Sequence, residues 1–540
     1  MADEKEYIVV TKKGINIADV EAELERDTDG DATASANVPN RTVDVAYAKK
    51  ANNRITHYML TDDEAAELSK DARIHVVEEK ASPLYSKELY QTQTSQFDRS
   101  TSNGQDAVNW GLKRHILKDY DADAASSSYT GDYTYALDGT GVDIVIQDDG
   151  VDPTGHPEWN DADGNTRFVQ LDWNTIISSS MPATHYSNAY SDTNRAGAHG
   201  SHCAGIAAGK TYGWAKNAKI YSVRVFGGSS ALNAADLYDV IRVWHEQKPI
   251  DPNTGFKRPT IVNQSWGYSS NYVNNGQITS MFYQGVDQSI AAQTFTTGVF
   301  AEYGCTASNH PAQSSSNDVE QEQLTDAGVI CVKAAGNNYH PCAGANAPYN
   351  SGIYDSYYTT ATYGATKLYY NRPSSPHSDD TVWVANMDND TYISEEYLRV
   401  DSERGPRIDI IAAGDYISSA TSQVSNYATK QLYPGSSTHY MARIGGTSMA
   451  APQITGIGAL WLQANPGGTA QQFKDFLTIH STANSYDSGT ATDFNAGNTV
   501  PRRYGAPNRV MHWPYNSANP IKYSGTSGSS TPLTPPLPPR

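Results

Sequence analysis

Hydrophobic and polar positions follow different periods along the chain, and they first mark out a short N-terminal unit. Runs of three to six residues rich in apolar side chains predict four strands there, and two segments with helical spacing lie between them. The strands are predicted at 7–10, 43–45, 55–60 and 74–78, and the helices at 17–26 and after Thr61. Thr61 and Glu64 have the spacing of a helix capping box. The order β-α-β-β-α-β predicts a ferredoxin-like α+β fold for residues 1–80.

A longer second unit alternates apolar β-rich runs with helical patterns, which predicts an α/β fold with a mostly parallel sheet flanked by helices. We place it at 109–515, with strands at 142–146, 220–225, 261–263 and 329–332. Residues 81–108 are rich in Ser, Thr and Gln and predict a solvated linker that a protease can reach. The Pro- and Ser-rich residues 516–540 predict a flexible tail.

Two stretches of the second unit, 268–325 and 340–400, are rich in Tyr, Asn, Ser and Asp. Segments of this composition are expected at the surface, where they modify a cleft or a partner contact.

The charge and composition of the chain argue against some classes of function. The chain has 540 residues, so two or more domains are expected. With 59 acidic against 40 basic residues its formal net charge is -19, which argues against nucleic-acid binding. No apolar run is long enough to insert into a membrane. We also expect the protein to be a monomer. The first residues lack the apolar core of a signal peptide. An intracellular location, a virus-associated location and secretion by another route all remain open.

Four cysteines in so long a chain do not predict a disulfide framework. Cys203 and Cys331 fall in apolar runs and are expected to be buried free thiols. Cys305 and Cys342 lie in loop-like sequence, and their spacing does not decide whether they pair.

Three segments carry residue types that together suit nucleophilic catalysis. Asp148 ends an apolar strand, His199 begins a run of small residues, and Ser448 stands just before an apolar helical pattern. A serine hydroxyl needs a histidine to take its proton and a carboxylate to orient that histidine. The chain order Asp, His, Ser is one of the known orders of this triad.

The three segments and their flanks resemble the signatures of the subtilisin-like serine protease (subtilase) family. They read IVIQDDG at 144–150, HGSHCAG at 199–205 and GTSMAAP at 446–452. The resemblance implies that Asp148, His199 and Ser448 form the triad, and that Asn337, in AAGNN at 334–338, donates to the oxyanion. It also implies that residues 1–80 are an inhibitory prodomain of the subtilisin type. A substrate pocket is expected at Ser265, Trp266, Gly267, Ala335 and Gly336.

Features of two branches of the family are mixed. DDG at 148–150 and SWG at 265–267 are similar to kexins, whereas AAGN and GTSMAAP are similar to subtilisin and proteinase K. In the kexin branch the second Asp binds a basic residue two before the cut, so Asp149 is a candidate substrate-binding residue; a solvated turn carboxylate is the alternative. The other pocket residues include no acid, so an apolar residue is expected just before the cut. Cys203 is expected to pack beneath His199.

Asp161, Asp163 and Asn165 place oxygen ligands at alternate positions beside a glycine, as calcium loops do. They are a candidate structural calcium site, with an ordinary turn as the alternative. The resemblance implies no cofactor for catalysis.

The sequence therefore predicts a serine endopeptidase that hydrolyses peptide bonds through an acyl-enzyme and is autoprocessed from a zymogen. Its partners would be protein or peptide substrates and its own prodomain. The alternative is a structural or interaction protein on a subtilase scaffold whose catalysis is dispensable.

Overall fold

The structure, a computed structural model, describes most of the two predicted units. The described residues are 4–24, 37–39, 41–48, 53–79, 85–88, 110–116, 135, 137–171, 173, 197–225, 234–269, 277–283, 286–288, 293–294, 311–338, 356–361, 364–369, 376–388, 396–483, 490–492, 499–501 and 506–514. Cys305, Cys342, the tail 516–540 and most of the linker lie outside them.

The N-terminal domain is a four-stranded antiparallel sheet with two helices. Its elements are β1 (Lys5–Thr11), α1 (Ala18–Leu24), β2 (Val45–Ala48), β3 (Ile55–Leu60), α2 (Asp62–Leu68) and β4 (Ile74–Glu79). The strand order β2-β3-β1-β4 is that of a ferredoxin-like fold, as predicted. The capping box is also present: Glu64 N–H donates to Thr61 Oγ1, and Thr61 N–H donates to Glu64.

The second unit is larger and alternates strands and helices. Its elements, with β5 preceding them, are β5 (Tyr85–Glu88), α3 (Trp110–Ile116), β6 (Asp143–Asp148), α4 (Ala198–Ala208), β7 (Lys219–Arg224), α5 (Ala234–Gln247), β8 (Thr260–Gln264), β9 (Trp266–Ser269), β10 (Gln277–Tyr283), β11 (Val286–Asp287), β12 (Gln293–Thr294), α6 (Ser315–Asp326), β13 (Ile330–Ala334), β14 (Tyr357–Thr360), β15 (Gly364–Tyr369), β16 (Val382–Met387), β17 (Ile410–Ala413), β18 (Ile417–Thr421), β19 (Gln431–Leu432), β20 (Tyr440–Ile444), α7 (Thr447–Ala464), α8 (Ala470–Ile479), β21 (Ser481–Thr482), β22 (Thr490–Thr492), β23 (Thr499–Pro501) and β24 (Val510–Met511).

An eight-stranded sheet forms its centre, in the order β21-β24-β17-β16-β13-β8-β6-β7. Every described pair in it is parallel except β21 with β24. Strands buried on both faces by helices are continuous apolar runs, and the residues of β6, β8, β13, β16 and β17 are all buried. The predicted α/β fold with a mostly parallel sheet is confirmed.

Helix α7 is central because its apolar residues surround the whole helix. All of its residues but Gln463 are buried. It packs on α4 and on the strands β8, β13 and β16. Among the described helices, none combines the length and apolar character that crossing a membrane requires.

The two predicted surface stretches fold together. Strand β10, from the first stretch, pairs with β14, from the second, and β11, β12 and β15 complete a five-stranded antiparallel sheet. The C-terminal end of the first stretch does not lie wholly at the surface, however. It is α6, whose Leu324 belongs to a hydrophobic core cluster with Tyr238 of α5.

The N-terminal domain lies against α6. Ile8, Val10 and Ile55 of its sheet form one apolar cluster with Val319 of this helix. Arg54 and Lys13 form ion pairs with Glu322 and Asp326, at 3.0 Å in each case. The predicted linker also contacts the large unit, so it is not wholly solvated. Its strand β5 pairs antiparallel with β9 of the large unit.

The first turn of α6 also depends on the N-terminal domain. The carboxylate of Glu78 accepts hydrogen bonds from the N–H groups of Ser315 and Ser316, at 3.2 and 3.0 Å. A helix leaves its first N–H groups without partners inside the helix, and a carboxylate there satisfies them. Burial raises the pKa of Glu78.

Candidate active site

Asp148 and His199 meet at the carboxyl end of the central sheet. Asp148 is the last residue of β6, and His199 is the second residue of α4. Nδ1 of His199 lies 2.7 Å from Oδ1 of Asp148, and both side chains are fully buried. Because a carboxylate only accepts, Nδ1 carries the proton. In a neutral imidazole, Nε2 is then the basic nitrogen.

The second histidine of the motif is not suited to act as a base. Nε2 of His202 lies 3.1 Å from the carbonyl oxygen of Ala442 and donates to it. Burial lowers the pKa of His202 to about 3.

Glycine brings α4 close to the end of β6. A Cβ at Gly200 would lie 2.2 Å from the carbonyl oxygen of Gly150 and 3.1 Å from Cβ of Asp148. Any larger residue at this position would push the helix, and His199 with it, away from the carboxylate.

Asp149 caps the helix that carries His199. Its Oδ2 accepts from the N–H of His199 at 3.1 Å, and its Oδ1 accepts from the N–H of Gly200 at 2.6 Å. The residue is only 5% exposed. Both carboxylate oxygens therefore bond to backbone groups of α4, which gives Asp149 a positioning role. Its predicted contact with a basic substrate residue stays a prediction.

Replacing Asp149 tests these two roles. Asp149→Ala should lower the free energy of unfolding by about 1 kcal/mol and also lower kcat, because α4 loses its cap. Asp149→Asn should retain part of both, since its amide oxygen can still accept from one of the two N–H groups of α4. Denaturant titration and peptide kinetics measure the two effects. A preference for Lys or Arg two residues before the cut that disappears in Asp149→Asn would instead indicate substrate contact.

Ser448 is held at the start of α7 by other segments. It is the second residue of the helix, which begins five residues before Pro452. Proline has no N–H, so the carbonyl of Ser448, four residues earlier, lacks its helical donor. That carbonyl accepts from Ser265 Oγ at 2.9 Å and from Cys203 Sγ at 3.4 Å. Ser448 Oγ in turn donates to the carbonyl of Ser265 at 3.0 Å.

Cys203 lies close to His199 and Asp148. Its Sγ, a ring nitrogen of His199 and a carboxylate oxygen of Asp148 all lie within 4.8 Å of one another. Cys203 and Cys331 are both buried, and neither forms a disulfide.

Asn337 has its amide oriented by the start of α7. Its Oδ1 accepts from the N–H and from Oγ1 of Thr447, at 2.9 and 3.0 Å. A backbone N–H needs an acceptor, so the oxygen faces Thr447 and the NH₂ group faces the opposite way. Nδ2 is buried and has no hydrogen-bond partner among the described residues. An unused buried donor beside Ser448 is what an oxyanion requires.

The expected substrate segment is a backbone edge rather than a set of side chains. Ser265 lies between β8 and β9, and Trp266 and Gly267 begin β9. The side chain of Trp266 is fully buried against Tyr268, with ring centroids 5.6 Å apart. We therefore expect Trp266 to bind substrate, if at all, only through its backbone.

Comparison with known proteins gives the family. The description of the matching family model is "Subtilase family", and the match covers residues 139–506, well over half of the chain. The chain belongs to the subtilase family. Asp148, His199, Asn337 and Ser448 all lie inside the matched range.

Relatives of this subtilase are themselves proteases by name. A cuticle-degrading serine protease of Arthrobotrys oligospora is 28% identical over 34% of this chain and 38% of its own. Subtilisin-like protease 2 of Pseudogymnoascus destructans is 24% identical over 58% of this chain and 64% of its own. The subtilase thus spans less than two thirds of these relatives. Among solved structures, a cold-adapted subtilisin-like serine proteinase covers 75% of this chain and 98% of its own, with 20% identity and a TM-score of 0.42.

A buried lysine, which the sequence interpretation missed, contacts the expected substrate segment of this subtilase. Lys333 is on β13, is fully buried, and donates from Nζ to the carbonyl of Trp266 at 2.9 Å. The same ammonium lies 4.9 Å from the centre of the Trp266 ring. Burial lowers the pKa of Lys333 from 10.5 to about 7. Its place directly after the predicted strand 329–332 was the available signal, since a lysine that continues a buried strand needs a partner.

Lys333 should make stability depend on pH. Between pH 7 and 10.5 the unfolded chain binds a proton at this lysine that the folded chain does not, so stability rises with pH. From pH 7 to 9 the rise should reach up to about 3 kcal/mol. Urea titration of Lys333→Met should show a rise that is smaller by this amount, because the largely buried Lys216 and Lys248 still contribute in the same direction, whereas the exposed Lys70→Met should retain the full rise. An equal slope in both variants would contradict the assignment.

The other wall of the expected pocket has an acid that the sequence interpretation left out. Gly336, with φ at +121°, follows Ala335, and a Cβ on it would lie 2.4 Å from the carboxyl carbon of Glu403. Glu403 is buried, and its N–H donates to the carbonyl of Gly336 at 2.8 Å. The five expected pocket residues include no acid themselves, but a buried carboxyl group lies directly behind Gly336. A preference for an apolar residue before the cut stays a prediction.

Oxygens of the candidate calcium loop accept hydrogen bonds from groups of the protein itself. Oδ1 of Asp161 accepts from the N–H groups of Asp163 and Asn165, at 3.0 and 2.8 Å. Nζ of Lys210 donates to the carbonyl of Asp161 at 3.2 Å. Because a lysine ammonium and two backbone N–H groups donate to oxygens of Asp161, the loop resembles an ordinary turn more than a calcium site. Calcium binding at these residues stays a prediction.

Proposed function

We propose that this subtilase is a serine endopeptidase that hydrolyses protein or peptide substrates through an acyl-enzyme. The observation that carries the proposal is the buried pair of Asp148 and His199, with Ser448 at the start of α7 and the unused amide of Asn337 beside it. Parts that act as a unit in acyl transfer are thus present together.

The residues have distinct tasks in the reaction. Nε2 of His199 takes the proton of Ser448 as Oγ attacks the carbonyl carbon of the substrate. Asp148 holds the imidazole and stabilises the imidazolium that forms. The amide of Asn337 and the N–H of Ser448 stabilise the oxyanion, and the N-terminus of α7 adds its dipole. None of these steps needs a cofactor.

The alternative is a structural or interaction protein on the same scaffold. Covalent labelling distinguishes the two. A fluorophosphonate probe should modify Ser448, located by peptide mass spectrometry, because the probe reports an activated serine. A folded chain that takes up no label would favour the alternative.

We further propose that the N-terminal domain is an inhibitory prodomain, that the chain is autoprocessed, and that the mature enzyme is a monomer. The contacts of the domain with α6 support inhibition: an apolar cluster at Val319, ion pairs at Glu322 and Asp326, and the cap that Glu78 provides. The pairing of β5 with β9 also supports it, because an added strand there occupies the expected substrate edge.

The N-terminal domain should therefore inhibit the mature enzyme in trans. Residues 1–88, which include β5, should inhibit more tightly than residues 1–80, and both should act at micromolar concentration. Inhibition by 1–88 should weaken as salt rises, because the pairs to α6 are partly exposed. Inhibition constants from peptide hydrolysis measure each effect.

A matched pair of glutamates controls this test. Glu322→Gln should weaken inhibition about two- to fivefold, since partly exposed pairs contribute up to about 1 kcal/mol. Glu246→Gln, on the exposed face of α5 where Glu246 pairs with Arg242, should change nothing. No inhibition by either fragment would contradict the prodomain.

A further inference from the structure

The hydrogen bond from Lys333 fixes the orientation of one peptide group of the expected substrate edge. The carbonyl of Trp266 accepts from Lys333 Nζ at 2.9 Å. In a trans peptide the carbonyl and the N–H of the next residue point in opposite directions. The N–H of Gly267 therefore points away from Lys333, and the lysine determines which edge of β9 this N–H faces.

The pairing of β5 with β9 shows what this edge can bind. Lys87 lies opposite Gly267 in an antiparallel register. The carbonyl of Tyr268 accepts from the N–H of Ala312 at 3.0 Å, a donor that does not belong to β5. Because alternate residues of a strand direct their backbone polar groups to opposite edges, Gly267 is the residue that faces β5. A substrate that adds to β9 as a strand would bond to Gly267 in the same way.

Gly267 lies two residues from the nucleophile along this edge. The carbonyl of Ser265 accepts from Ser448 Oγ at 3.0 Å, so a substrate residue opposite Ser265 would lie beside the nucleophile. An antiparallel substrate strand would place the residue opposite Gly267 two positions earlier in its own sequence, about 7 Å away. A substrate with a single residue before the cleaved bond is therefore too short to reach Gly267.

The ammonium of Lys333 is held in place by its surroundings. The side chain is fully buried, and Nζ lies 4.9 and 5.6 Å from the ring centres of Trp266 and Trp383. A buried carbonyl needs a hydrogen-bond donor, because leaving it without one costs free energy. Without the lysine, the carbonyl of Trp266 would turn toward another donor, and the N–H of Gly267 would turn with it.

From these contacts we propose that Lys333 is a positioning residue that makes the enzyme favour extended substrates. It holds the peptide group between Trp266 and Gly267 so that Gly267 binds the substrate backbone two residues before the residue beside Ser448. Lys333 is buried behind this peptide group, so it acts through the group and not by contact with substrate. The inference rests on the proposed endopeptidase function and adds a preference for substrate length to it.

Two esters of different length test the proposal on the active enzyme. One is an acetylated tyrosine ethyl ester, which can reach Ser448 but not Gly267. The other is a tetrapeptide ethyl ester that ends in the same tyrosine and can reach both. The wild-type enzyme should hydrolyse the tetrapeptide ester with a kcat/KM at least about tenfold higher. In Lys333→Met the kcat/KM of the tetrapeptide ester should fall about tenfold, and that of the short ester should stay within about threefold, because only the longer substrate bonds to Gly267.

Lys248→Met is the matched control. The side chain of Lys248 is also mostly buried, and its Nζ lies 3.8 Å from the ring centre of Trp244. It donates to Oδ2 of Asp143 at 2.7 Å, and Asp143 is the first residue of β6, at the end of the sheet away from the site. The ratio of the two kcat/KM values should therefore stay within about twofold of the wild-type ratio, because distant sites act independently.

Circular dichroism establishes that each variant is folded. If Lys333→Met does not fold, Lys333→Gln decides the matter, because its shorter side chain should weaken the hydrogen bond and lower the ratio about threefold or more. Equal hydrolysis of the two esters by the wild type, an unchanged ratio in the folded lysine variant, or an equal fall in Lys248→Met would overturn this inference and leave the proposed function standing. A wild-type enzyme that hydrolyses neither ester would overturn both.

Discussion

Ser448→Ala should abolish both peptide hydrolysis and self-cleavage while leaving the fold intact. The expected loss in kcat is more than about 10⁴-fold, because the remaining groups have no nucleophile to activate. The cost to folding should be about 1 kcal/mol, since Ser448 Oγ makes one hydrogen bond to Ser265 that the variant lacks. Peptide kinetics, intact mass and circular dichroism measure these quantities.

His199→Ala is the companion variant, and its loss should be nearly as large because triad members act as a unit. The double variant should be no worse than either single one. Pure Ser448→Ala protein that still cleaves itself would contradict the assignment of the nucleophile.

Asn337→Ala should lower kcat by about a hundredfold or more and leave KM nearly unchanged. The magnitude is one known for serine proteases of this family, and the structure supplies the reason that it applies. Nδ2 is buried, has no hydrogen-bond partner among the described residues, and is oriented through Oδ1 on Thr447. An interaction made only with the oxyanion changes kcat and not binding of the ground state.

Asn338→Ala is the matched control, because the neighbouring asparagine makes none of these contacts with Thr447. Its kcat should stay within about twofold of the wild-type value. A change confined to KM in Asn337→Ala would make Asn337 a substrate-binding residue instead.

Local patterns sufficed for much of the fold. The strands β6, β8 and β13 each contain a short apolar run, and Thr61 with Glu64 forms a capping box within four residues. The candidate site residues could be predicted from the sequence for a similar reason. Asp148 lies at the end of a clearly predicted strand, and Ser448 lies just before a clearly predicted helix. A signal of this kind depends only on residues close in sequence.

The features that the sequence did not predict depend on distant partners. Residues 85–88 are polar enough for a linker, and their pairing with β9 is decided by a strand about 180 residues away. Asp149 has the residue type of a substrate contact and of a helix cap, and only the position of α4 distinguishes them. Glu403 was missed because its contact with Gly336 is a matter of packing.

Pro452 lowers the local stability of helix α7 but helps to hold Ser448 in position. A residue with an N–H at this position would complete the hydrogen-bond ladder of α7 and would occupy the carbonyl of Ser448, which now accepts from Ser265 and Cys203. Helix α7 would gain one backbone hydrogen bond. The carbonyl of Ser448 would lose its hydrogen bonds from Ser265, on the expected substrate edge, and from Cys203, on α4. The first turn of α7 is thus preorganised at the expense of its own ladder, which is the kind of trade-off between stability and activity found where a site must be held still.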